Sequence, residues 1–241
     1  METRIKELNR RGAVALAGAL VTGAFAMRNG VLCAAAAEDK GGEDVSATED
    51  LMREHGVIRR VLSIYAELAR RLETQSGTFD PAVLTGTAKL IRDFGEDYHE
   101  RLLEDQYIFP DVRKTGGANE ALVNILLAQH QRGRAITDYI REIGSRGKIG
   151  GDAKPLASAL TSFVRMYNAH AAWEDTVVFP AWKALQSKAK LEELADKFED
   201  IEHEKLGKDG FENAVARVAS VEQALGLGDL SVFTAPPPPA T

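Results

Sequence analysis

The stretch His99-Glu100-Arg101-Leu102-Leu103-Glu104-Asp105-Gln106-Tyr107-Ile108-Phe109-Pro110 has a counterpart further along the chain in His170-Ala171-Ala172-Trp173-Glu174-Asp175-Thr176-Val177-Val178-Phe179-Pro180. Both copies carry Glu-Asp-x-x-[Val/Ile]-Phe-Pro, and each follows a histidine by a few residues. Apolar residues around them recur at three- and four-residue steps, which places both copies on helices. A histidine and a glutamate about one turn apart, offered by two separate helices, are how a helical bundle builds a carboxylate-bridged metal site. His170 and Glu174 are an i,i+4 pair on one helix face. His99 and Glu104 are i,i+5, about 140° apart on an ideal helix, so a long side chain or a local helix irregularity has to close the gap. Glu100, next to His99, competes with Glu104 for the same role.

The helical pattern extends outward from both copies. Leu51, His55, Ile58, Leu62, Tyr65, Leu68 and Ala69 predict a first helix over about 48–74. Thr78-Phe79-Asp80-Pro81 supplies an N-cap and a proline at the first helical position, and the second helix carries Leu84, Ala88, Ile91, Phe94, Tyr98 and Leu102 toward Phe109. Gly116-Gly117 breaks it. A third helix spans about 119–143 with His130 on its apolar face, the Gly-rich segment 144–152 is a loop, and a fourth helix spans about 153–186. Phe109 and Phe179 read as core, and the prolines after them as bends or ends of helices two and four. Short connections make an antiparallel four-helix bundle the expected architecture, an all-α fold. Two shorter helices, about 191–206 and 209–225, are expected to pack on it, ahead of a Pro-rich tail over 228–241. The bundle is expected over 48–187, the helical extension over 188–227 and a flexible linker over 38–47.

Of five histidines, four fall one to each long helix: His55, His99, His130 and His170. Early positions on helices one and three face late positions on helices two and four, so at 1.5 Å per residue the four lie within a turn or two of one level. One histidine on an apolar helix face is an ordinary hydrogen-bonded core residue. Four on successive helices, two of them inside a repeated acidic frame, point to a metal. The fifth, His203, lies in Phe198-Glu199-Asp200-Ile201-Glu202-His203-Glu204. If that helix folds back over the bundle, His203 is a further ligand or Glu202 an added oxygen; otherwise it is a surface histidine on a solvated acidic helix.

These residues resemble those of the hemerythrin-like, HHE cation-binding family over about 48–185. The resemblance implies a four-helix bundle holding a non-haem di-iron centre with histidine terminal ligands and two bridging carboxylates. His55, His99 with Glu104 or Glu100, His130, and His170 with Glu174 stand at the matching positions. The family's oxygen carriers have His-x3-His on helix three. Here the flanking positions are Leu126 and Arg134, so one histidine is missing and simple reversible oxygen carriage is not implied.

Composition narrows the remaining choices. A formal net charge of -6 without a basic stripe argues against nucleic acid. One cysteine, Cys33, excludes a disulfide framework and a thiolate metal site, leaving nitrogen and oxygen ligands, which suit iron, with manganese or zinc as lesser choices. Residues 1–37 have a basic start ending in Arg10-Arg11, an apolar run over 12–27 and the small-residue exit Ala34-Ala35-Ala36-Ala37. That pattern predicts an export signal of the twin-arginine type and a periplasmic or extracytoplasmic protein, with an uncleaved membrane anchor as the alternative and no stable span once the signal is removed. Three function classes follow: a protein binding O2, nitric oxide or iron; an enzyme removing peroxide or nitric oxide; and a helical interaction module with a single structural metal. No nucleotide motif or nucleophile–base pair stands out, which disfavours hydrolysis.

Overall fold

The computed structural model describes residues 45–75 and 79–239. The export-signal reading of 1–37, most of the linker and Thr78 of the expected cap segment lie outside these residues. Among the described residues the chain is all-helical, with no strand.

Helix α1 (Ala47–Thr74) starts where the Ser46 hydroxyl accepts the Glu49 N–H at 3.3 Å, and Glu49 and Asp50 in its first turn complement the helix dipole. Its apolar stripe, Leu51 through Leu68, is buried as the periodicity predicts. At α2 (Ala82–Leu90), the Asp80 carboxylate accepts the Ala82 N–H at 2.8 Å. This helix continues without interruption through a π-helical segment (Ile91–Ile108) into α3 (Phe109–Lys114). Helix α4 (Gly117–Ser145) follows Gly116, and α5 (Ala153–Trp173) continues through a single π turn (Glu174–Val178) into α6 (Phe179–Leu185). Gly116 and Gly117 have φ of 74° and 60°, a left-handed reversal that glycine makes without Cβ strain.

Pro110 and Pro180 neither end nor break the second and fourth rods. They sit in the first turn of α3 and α6, at the changeover from wide to regular helix. In both rods the N–H of the preceding phenylalanine reaches five residues back, Phe109 to the Glu104 carbonyl and Phe179 to the Glu174 carbonyl. A proline has no N–H for the regular bond and its ring crowds the carbonyl four residues back, so widening the turn just upstream relieves the clash.

The four rods pack in a closed ring: α1 along α5, α5 against α4, α4 against α2 and the long π segment, and that segment against α1. This is the contact pattern a four-helix bundle requires. Helices α7 (Lys188–Leu206) and α8 (Gly210–Leu225) pack on each other, α7 reaching the long π segment and α1, and α8 reaching α1 and α2. Phe198 of α7 stacks on Trp182 of α6 at 6.0 Å. Arg60 Nε donates to Glu222 at 2.9 Å, and Arg71 donates to the Leu225 carbonyl at 2.7 Å, fastening α8 to α1. Among the described residues no helix is long and apolar enough to cross a membrane.

Candidate metal centre

Glu104 and Glu174 project from the two π segments into the middle of the ring, and neither is exposed at all. The widening settles the i,i+5 problem: a ladder bonded from i to i−5 brings residues five apart onto one face. Glu104 Oε1 therefore lies 3.2 Å from His99 Nε2, while its Oε2 lies 3.4 Å from His130 Nε2. Glu174 mirrors this, with Oε1 at 3.0 Å from His170 Nε2 and Oε2 at 3.4 Å from His55 Nε2. The histidines form two pairs through their Nε2 atoms, His55 with His99 at 3.0 Å and His130 with His170 at 3.1 Å. Each carboxylate thus gives one oxygen to each pair.

The outward nitrogens are held as systematically. His55 Nδ1 meets Asp175 at 2.7 Å, His130 Nδ1 meets Asp105 at 3.0 Å, His99 Nδ1 meets Glu54 at 2.6 Å and His170 Nδ1 meets the Gln129 side-chain oxygen at 2.9 Å. The phenylalanine of each repeat stacks on the histidine that the same repeat's aspartate holds: Phe109 on His130 at 5.3 Å, Phe179 on His55 at 5.4 Å. In Glu-Asp-x-x-x-Phe-Pro, then, the glutamate enters the site while the aspartate and phenylalanine brace a histidine on a neighbouring rod.

With every Nδ1–H donated outward, the four inward Nε2 atoms are acceptors. They face Glu104 Oε1 and Oε2 and Glu174 Oε1 and Oε2, four buried oxygens without a hydrogen-bond donor. A cluster of acceptors without donors is held together only by cations or by added protons, and leaving it bare costs several kcal/mol. The residues present therefore fit a metal, and two converging groups could each hold an ion: Glu104, His130, His170 and Glu174; and His55, His99 and Glu104.

Protonation follows the same electrostatics. Burial opposes charge on His99, but Glu104 and Glu54 outweigh it and raise its pKa well above the ordinary histidine value. Burial also opposes charge on His130, and Glu100, Asp105 and Glu104 overcome it in the same direction. Burial pushes the Glu104 carboxyl up, yet His99 and His130 hold it well below the usual carboxylate range.

Two of the eight predicted site residues stand elsewhere. Glu100 stands outside both converging groups: its Oε1 accepts the Tyr167 hydroxyl at 2.8 Å and its Oε2 is buried without a partner. His203 is on the exposed side of α7, its nearest ion partner Glu199 at 3.8 Å. The residue before it on the helix, Glu202, takes the buried direction, but it accepts the Phe211 N–H at 2.7 Å and lies 3.5 Å from the Tyr98 hydroxyl rather than in the cluster. Sequence reading missed Asp105, Asp175, Glu54 and Gln129. The first two carried a signal, since each repeat keeps an aspartate directly after its glutamate. Glu54 and Gln129 carried a fainter one, each immediately preceding a histidine on α1 and α4. Of the two positions flanking His130 at four residues, Leu126 is buried and Arg134 pairs with Asp97 at 2.8 Å.

An all-helical protein whose centre is a buried histidine–glutamate cluster able to hold cations is defined by this fold and site. The chain belongs to the hemerythrin family: the hemerythrin HHE cation binding domain matches residues 46–182. It is 43% identical over 194 residues to the uncharacterized protein Mb2018 of Mycobacterium bovis and to the uncharacterized protein Rv1995 of Mycobacterium tuberculosis, covering 79% of this chain and 74% of each relative. No solved structure matches it.

Proposed function

We propose that this chain is a four-helix bundle that holds two non-haem iron ions and uses them to bind O2 or a related small ligand such as nitric oxide. The observation carrying this reading is the acceptor-only cluster, four inward imidazole nitrogens and four orphaned carboxylate oxygens, shared so that each glutamate serves both histidine pairs. His55, His99 and one oxygen from each glutamate would hold one ion; His130, His170 and the other two oxygens would hold its neighbour. Mixed imidazole and carboxylate donors suit iron, with manganese or zinc as lesser occupants. A ferrous pair supplies electrons and an open coordination position to a small ligand. The N-terminal pattern supports export, so the proposed site of action is outside the cytoplasm.

A second reading, turnover of peroxide or nitric oxide, draws on Glu100. Burial raises its pKa, and its Oε2 is a buried, unpartnered position where a proton can be held beside the His130–His170 pair.

Elemental analysis, combined with absorption spectra before and after anaerobic reduction and re-exposure to air, tests both. About two irons per chain, with near-ultraviolet bands lost on reduction and regained with O2, is the expected result. Rapid turnover with peroxide would move the second reading ahead. Absence of bound iron, with no spectral change on reduction, would end both.

A further inference from the structure

In the partners of their outward Nδ1 atoms, the two halves of the cluster are built alike except at one place. Asp175 and Asp105, both carboxylates, hold His55 and His130. Glu54 and Gln129 stand in equivalent positions, each immediately before the histidine of its helix and each holding the Nδ1 of that histidine's partner. One is a carboxylate and the other an amide. Glu54 is 1% exposed and fixed from behind: the Tyr98 hydroxyl donates to its Oε1 at 2.7 Å and lies 3.5 Å from Glu202 of α7. Glu202 accepts the Phe211 N–H at the start of α8, so the chain of contacts from His99 ends in helices beyond the matched residues 46–182. Gln129 is half-buried near the surface between α4 and α5.

A carboxylate accepting the Nδ1–H of a ligand imidazole makes its other nitrogen a stronger donor than an amide does, and such outer partners are worth 10–100-fold in metal affinity. We infer that Glu54, anchored through Tyr98 to the α7–α8 pair, makes the His55–His99 position the tighter of two unequal metal positions, so that the centre fills in order. This rests on the two-metal reading. Two features lean the other way: Arg59 shares the charge of Asp175, and Glu100 adds negative charge near the second pair. Glu54 outweighs them because it acts directly on the ligand ring at 2.6 Å inside the core, whereas Arg59 acts at one remove and Glu100 stands outside both converging groups.

Anaerobic titration of the metal-free full chain with Fe2+ alone, followed by calorimetry, tests the inference. The wild type is expected to bind two equivalents in two resolved steps. His99→Ala should abolish the tight step and His170→Ala the weak one. Glu54→Gln should weaken the tight step about tenfold or more, and Gln129→Glu should strengthen the weak step by a similar factor, drawing the two together. Gln129 is far enough from the core that its variant reports even if Glu54→Gln fails to fold. Two equivalents of equal affinity, or steps unmoved by either substitution, would overturn the inference and leave the two-metal reading standing. One equivalent or none in the wild type would remove both.

Discussion

A Cβ on Gly133 would lie 1.9 Å from the Tyr167 hydroxyl, so this glycine of α4 is the space in which the tyrosine reaches Glu100. Gly133→Ala is expected to displace the ring and lower unfolding free energy by about 1–3 kcal/mol, the usual cost of overpacking, measured by urea denaturation. Glu96 poses a different question at the same scale. It is wholly buried, and burial first, with the nearby Glu100 adding to it, pushes its carboxyl up to about 7 despite hydrogen bonding from Thr137 and the charges of Arg92 and Arg134. Its folded value lies above its unfolded one, so its contribution to stability is complete below about 4.5 and is lost as pH rises through about 7. Glu96→Gln should remove that decline, making the variant roughly 3 kcal/mol more stable than the parent at pH 8 at most and little different at pH 4. Equal pH slopes for the two proteins would contradict this. Among the site residues, side chains pointing inward were legible because spacing carries that information. Their supports were not, because a partner such as Glu54 or Gln129 is chosen across helices and leaves only adjacency to a histidine behind.

At the scale of elements, the helix limits were legible where the chemistry is local, as at Asp80 and the Gly116–Gly117 reversal; the Ser46 cap, inside a segment read as linker, was missed. The π segments were not. An N–H bonding five residues back has no residue preference of its own, and the only traces were the mismatched His99–Glu104 spacing and the proline at a constant distance after each glutamate. The C-terminal pair was legible as helices, but spacing left open whether His203 or Glu202 turns inward, since burial of Glu202 and exposure of His203 depend on how α7 is rotated. Trp182 shows what joins this pair to the rods: fully buried on α6, it stacks on Phe198 and donates to the Tyr107 carbonyl at 3.1 Å. Trp182→Ala is expected to lower stability by about 3–5 kcal/mol in thermal or denaturant unfolding, the large-to-small cost in a core that cannot collapse. A loss below about 1 kcal/mol would mean that α7 is not held there.

For the whole molecule, the bare acceptor cluster is a stability debt that a bound cation removes. Fe2+ at about a hundred times its dissociation constant should add about 2.7 kcal/mol, raising the melting temperature by roughly 5–10 °C, and a chelator should reverse it. The gap should narrow as pH falls. Protons stabilise the metal-free form through His99 and His130, whose raised values make that contribution complete below about 6.5 and lost as pH climbs through them. The ion must displace those protons. A melting temperature indifferent to iron at pH 8 would contradict the proposed centre. The crossed bracing within the repeats has one more result. Asp105 and Phe109, from the repeat that begins with His99, support the opposite pair, and Asp175 and Phe179 do the same in return. A chain opened between α4 and α5 would leave His55 without the Asp175 and Phe179 that brace it, and would part His130 from His170 and Glu174, so each position would lose a brace or a ligand. Full occupancy is therefore a gauge of register: the centre closes only when all four rods have docked at the right height.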